Sequence, residues 1–92
     1  MTIEQFKKVK SESELSSDIL KALWNDIQGE WERAHEIVQK GEGSSDYDRI
    51  HAYLHRKEGD KFNAQWWYRR IGLPYPTVPL EKEWVDLFIK YS

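Results

Sequence analysis

Residues 51–72 read His51-Ala52-Tyr53-Leu54-His55-Arg56-Lys57-Glu58-Gly59-Asp60-Lys61-Phe62-Asn63-Ala64-Gln65-Trp66-Trp67-Tyr68-Arg69-Arg70-Ile71-Gly72. Slid back by 30 positions, the stretch meets a fainter copy of itself: Ala52 falls on Ala22, Gly59 on Gly29, Asp60 on Glu30 and Ala64 on Ala34. In each copy a small residue precedes another by 12 positions, with Gly-Asp or Gly-Glu between them. Glycine ends one helix and an acidic residue opens the next. The two alanines then face each other across a helix pair, where bulk would hold the helices apart. The stretch predicts a helix-turn-helix hairpin, built twice.

Hydrophobic spacing outside the stretch agrees. Ile19, Leu20, Leu23, Trp24 and Ile27 follow a 3.6-residue period behind the possible caps Ser16, Ser17 and Asp18, and after Gly29 the pattern restarts as Trp31, Ala34, His35 and Val38. Gly41-Glu42-Gly43-Ser44-Ser45 ends it, and Ser45 with Asp48 has the spacing of a capping box for the third helix. The segment Leu73-Pro74-Tyr75-Pro76-Thr77-Val78-Pro79 breaks helical geometry repeatedly, because proline lacks an N–H and restrains its predecessor. Leu80, Trp84, Leu87, Phe88 and Tyr91 form the apolar stripe of a last helix. The fold expected is all-α, one helical domain over 15–92: antiparallel hairpins at about 16–41 and 45–72, an ordered linker at 73–79, and a capping helix at 80–91. Residues 1–14, with Ile3, Phe6 and Val9 as their apolar points, are expected to form an arm or a short helix.

The paired small residues and the turn between them resemble tetratricopeptide and Sel1-like helical repeats, which bury each helix pair against the next. The spacing here is shorter than those families use, and two copies are fewer than usual, so the last helix would supply the missing cap. The motif HAYLHRKEGD, followed by Asn63-Ala64 and Trp67-Tyr68-Arg69-Arg70, together with Trp24, Gly29, Trp31, Ala34, His35 and Trp84, also resembles a family of small bacterial and fungal proteins. Its members usually carry alanine where this chain has Ile71. That resemblance covers about residues 15–88 and implies relatedness without an activity.

Composition excludes several classes. A net charge of −2 over 92 residues argues against a nucleic-acid binder, which would normally carry a basic face. No run of about 18 apolar residues is present for a membrane span, and Met1 to Glu14 lacks a signal-peptide core, so a cytoplasmic location is the expectation. The absence of cysteine removes disulfides, thiol nucleophiles and thiolate metal sites. Five Trp, five Tyr and three Phe are expected to supply much of the burial that a small domain needs.

Two constellations could carry function. His51 and His55 stand at i, i+4 on one helical stripe, with His35 or Glu58 available as a third ligand for a divalent transition metal such as zinc. Zinc proteases place glutamate directly after the first histidine, and Ala52 stands there, so that activity is excluded. The plainer reading makes the three histidines hydrogen-bonded seam residues, paired with carboxylates or tyrosine hydroxyls. The other constellation is a second stripe on the fourth helix, Phe62, Trp66 and Arg70. The last helix is expected to cover it through Trp84 and Phe88; left bare, it would form a groove.

The leading expectation is therefore a non-enzymatic module, without a cofactor, that docks a protein or peptide on Tyr53, His55, Phe62, Trp66, Arg69 and Arg70, either as a monomer or as a homodimer. The alternative is a metal-binding protein or metal-dependent enzyme using His35, His51, His55 and Glu58. No phosphate loop or nucleophile elbow is present.

Overall fold

A computed structural model describes all of residues 1–92 and contains helices alone: α1 (Ile3–Lys7), a 3-10 turn (Glu12–Glu14), α2 (Asp18–Ile27), α3 (Trp31–Gln39), α4 (Ser45–Lys57), α5 (Lys61–Arg70) and α6 (Leu80–Tyr91). No helix is long and apolar enough to cross a membrane. The closest pairings are α2 with α3 and α4 with α5, and α3 packs on α4 to join the two pairs.

Ala22, Ala34, Ala52 and Ala64 are all fully buried. The two turns are built alike, with Gly29 and Gly59 at φ +84° and +89°, a region in which a β-carbon is strained. Backbone hydrogen bonds repeat at the same offset, Glu30 N to Asn25 O and Asp60 N to His55 O, the six-residue closure of a Schellman turn. The Asp60 side chain caps α5 by accepting from Asn63 N, and Ser17 caps α2 by accepting from Leu20 N. At α4 the capping-box expectation needs correction. Ser44 is the residue before the helix and no side chain caps it; Asp48 is buried and reaches back to accept from Gly43 N at 3.2 Å. Gly41 is needed for space, since a β-carbon there would stand 2.3 Å from the Tyr47 ring.

Residues 1–14 contribute to the core. Phe6 is fully buried between Phe88 and Trp84, with ring centroids 4.9 and 6.0 Å away. Trp24 donates its indole N–H to Val9 O, which ties the N-terminal segment to α2. In the segment between α5 and α6, Tyr75 packs edge-on against Tyr68, with the Arg56 and Lys61 cations near its ring.

The α6 helix packs across α2 and α4. Trp84, Leu87 and Phe88 join Leu23, Ile50 and Leu54 in the main core. The expectation that Trp84 and Phe88 would cover Phe62 and Trp66 is overturned, because the apolar stripe of α6 is buried in the main core against α2 and α4. Phe62 remains 84% exposed and Trp66 49%.

Candidate functional site

Helix α4 lies at the centre of the domain, and one of its faces carries Asp48, His51, Ala52 and His55, all buried. The i, i+3, i+4, i+7 spacing keeps them on one side. Across from them α3 presents His35 and Trp31, and α5 presents Trp67. The three imidazoles meet: ring centroids are 4.6 Å apart for His35 and His51, 4.8 Å for His51 and His55, and 5.2 Å for His35 and His55. Two tryptophans close the flanks. Trp31 stacks on His35 at 5.0 Å and Trp67 on His51 at 3.9 Å. The Trp31 indole N–H donates to Leu54 O, which fixes that ring.

The polar contacts within the cluster are few. His35 Nε2 and His51 Nε2 approach to 2.9 Å, so one of them carries the proton they share. His51 Nδ1 is buried with no partner at all. His55 Nδ1 donates to Glu58 Oε1 at 2.6 Å, so its Nε2 is the ring nitrogen left outside that pair. Burial, reinforced by its histidine neighbours and Arg70, holds His51 down to about 3, and burial lowers His35 as well. These two imidazoles are neutral at pH 7, the form that can ligate a metal.

The geometry suits a transition metal. Ligand atoms from His35, His51 and His55 lie within 4.8 Å of one another. Two nitrogens on a tetrahedral zinc, each roughly 2.0–2.1 Å from the ion, stand about 3.3 Å apart, so opening the His35–His51 pair by a few tenths of an ångström would admit it. Glu58 stands where carboxylates stand behind metal-bound histidines, accepting from the His55 Nδ1. A second grouping, His55 with Glu58 and Asp60, adjoins the first. Of the three histidines, His55 pairs with a carboxylate, Glu58, while His35 and His51 hydrogen-bond to each other. His51, the most central of the three, has no carboxylate or hydroxyl partner.

The six residues expected to share one docking groove are divided. Tyr53 belongs to the core: its hydroxyl donates to Asp26 Oδ2 at 2.9 Å, and burial, then Asp26, raises its pKa. His55 belongs to the imidazole cluster. Phe62 and Trp66 line a shallow surface depression of about 480 Å³ with Asp60, Asn63 and Trp67. Trp66, Arg69 and Arg70 border another. The Arg70 guanidinium lies 5.4 Å from the Trp66 ring centroid and 5.2 Å from that of Trp67, with its Nε 3.7 Å from Asp48.

A second buried polar cluster escaped the sequence reading. Glu83 of α6, 2% exposed, accepts from Arg56 Nη1 at 2.7 Å and from the Tyr68 hydroxyl, and Arg49 Nη1 pairs with it at 2.9 Å in an orientation that gives no hydrogen bond. Asp26 forms a smaller centre, taking Tyr53 on one oxygen and Lys57 Nζ on the other at 2.8 Å. The available signal was the run Arg56-Lys57 at the end of α4. It reads as helix-dipole complementation until the partners, 27 and 31 residues away, are known. Compared with known protein families, curated proteins and solved structures, the chain matches none of them.

Proposed function

We propose that this protein binds a divalent transition metal, zinc foremost, through His35, His51 and His55, with Glu58 orienting His55. The observation that carries the reading is the convergence of three imidazole ligand atoms, from two helices, within 4.8 Å. A three-imidazole set without thiolate suits zinc, copper, nickel or iron, and excludes calcium and magnesium, which take oxygen. The test is elemental analysis of protein purified without chelator, followed by Zn²⁺ titration. One metal per chain is expected, with a rise in melting temperature that disappears in His35→Ala/His51→Ala. No stoichiometric metal together with no Zn²⁺-dependent shift would refute the proposal.

A second reading keeps a non-enzymatic module of the helical-repeat type, in which the hairpins stack as repeats and α5 docks a protein or peptide. Its support is the bare aromatic pair Phe62 and Trp66. A partner that is captured by the protein and lost on Trp66→Ala, with the variant still folded, is the outcome it requires.

A further inference from the structure

Away from the imidazoles, α1, α2, α4 and α6 together form a pocket of about 280 Å³. Its walls are apolar: Ile3 of α1, Ile27 of α2, and Leu80, Trp84 and Val85 of α6. At the packing density of a protein interior such a space takes roughly a dozen non-hydrogen atoms, the size of a small organic molecule and too little for a peptide helix. The rim carries Lys7 and Glu81, both exposed, so the pocket is reached from solvent.

The polar groups of the pocket decide what it can take. Asp26, 1% exposed, spends one oxygen on Lys57 Nζ at 2.8 Å and the other on the Tyr53 hydroxyl at 2.9 Å. The Trp84 indole N–H is also committed, donating to Leu23 O at 3.2 Å. Charge within the pocket is thus balanced, Lys57 against Asp26, and the rim adds one of each sign, Lys7 and Glu81. A charged guest would meet a pair already closed inside and both signs at the mouth, and would give up hydration on entering. An acceptor atom fares better. An ammonium group carries three N–H donors, and Lys57 directs two of them to Asp26, one to Oδ1 and one to the backbone oxygen at 3.4 Å. The third is left for solvent or a guest.

We propose that this pocket binds a small uncharged molecule with a hydrocarbon body and one acceptor oxygen, of the class of medium-chain ketones. Its body lies against Ile3, Ile27, Trp84 and Val85, and its oxygen accepts from Lys57 Nζ. The proposal is independent of the metal-binding reading, since the two sites share no residue.

The test is methyl NMR of the full chain titrated with 2-octanone, octanoate and octylamine, probes of one chain length that differ in head-group charge. With 2-octanone the methyl signals of Ile3, Ile27, Leu80 and Val85 should shift together and saturate with a Kd below about 1 mM, and each methylene removed from the probe should weaken binding about fourfold. Octanoate and octylamine should bind more weakly by about fivefold or more. Removing one rim charge should upset that balance in a set direction: Glu81→Gln should tighten octanoate and Lys7→Gln should tighten octylamine, while the affinity for 2-octanone is unchanged in both. Both side chains are exposed, so both variants should fold. Val85→Phe should occupy the pocket and lower the affinity for 2-octanone about tenfold or more; should that variant fail to fold, the parent and the rim variants decide alone. No shift of these methyl signals up to the solubility limit of 2-octanone would overturn the site. Octanoate or octylamine bound as tightly as the ketone, or a selectivity indifferent to the rim charges, would overturn the ligand class.

Discussion

Helix α4 carries two buried polar clusters on different faces, and they have been solved in opposite ways. On one face Arg49 and Arg56 converge on Glu83, with Tyr68 donating to the same carboxylate, so that charge meets charge even though the buried Arg49 Nη1 makes no hydrogen bond. On the other face three imidazoles are gathered with one hydrogen bond among them, one to Glu58, and a buried ring nitrogen bonded to nothing. A buried polar group without a partner costs free energy, on the order of 1–3 kcal/mol. The Glu83 cluster has the economy of a structural joint, pinning α6 and α5 to α4. The histidine cluster does not, and an arrangement that withholds stability from the fold is expected where a ligand completes it.

The largest way to test the contrast is to break the joint. Glu83→Ala leaves two arginines, 16% and 14% exposed, beside a void with no counter-charge. Denaturant unfolding should show a loss of about 3–5 kcal/mol, the range for removing one partner of a buried pair. A loss below about 1 kcal/mol would mean that water already satisfies the arginines and that the two clusters are alike after all.

The histidine side should respond to what is added. At a free Zn²⁺ concentration 100 times its Kd, the folded state should gain about 2.7 kcal/mol by mass action, visible as a rise in melting temperature. Zn²⁺ should leave His51→Phe unmoved. If that variant rises as the parent does, His51 is no ligand.

Between those extremes lies the seam that brings the histidines together. Ala34 and Ala64 are fully buried, and Ala64 packs with Ala52 in a small core with Trp67 and Tyr68. Ala64→Leu should therefore cost about 1–3 kcal/mol by overpacking. It should also weaken Zn²⁺ binding, since Trp67 is held by the same packing and stacks on His51. Lost stability with unchanged affinity would show that the site tolerates movement of α5.

How much of this could be read from sequence follows from the range over which each signal acts. The helices, their turns and the buried alanines were legible because glycine conformation, capping and a 3.6-residue period are local. The i, i+4 relation of His51 and His55 was legible for the same reason. The arrival of His35 against His51 depends on how α3 crosses α4, and no spacing within either helix states that. Glu83 was missed because it sits at the edge of an apolar stripe and reads as a solvated acid; its partners come from two other helices. The course of α6 was misjudged because Phe62 and Trp66 looked like surface in need of a cover, whereas its stripe is buried against α2 and α4.

The smallest expected effect is also the one most specific to the uncompensated face. In chelator-treated protein the folded pKa of His51 is about 3 against an ordinary 6.5, so between those values the unfolded chain binds the extra proton. Stability is then complete above pH 6.5 and falls as the pH drops through that window, with a slope of up to about 1.4 kcal/mol per pH unit for one such group. His35, lowered by burial, acts in the same direction. The charged and titratable groups near His51 are His35 on α3, Asp48 and His55 on α4 and Arg70 on α5, and the measurement should stay between pH 6.5 and 5, above the range where carboxylates titrate. His51→Phe removes the group and keeps a ring to stack on Trp67. At pH 7 the variant should lie within about 1 kcal/mol of the parent, because the unpartnered Nδ1 has gone and the hydrogen bond to His35 Nε2 has gone with it, and its stability should fall less steeply toward pH 5. A variant that is clearly less stable at pH 7, with an unchanged slope, would show that the imidazole is structurally satisfied and that the two faces of α4 do not differ in kind.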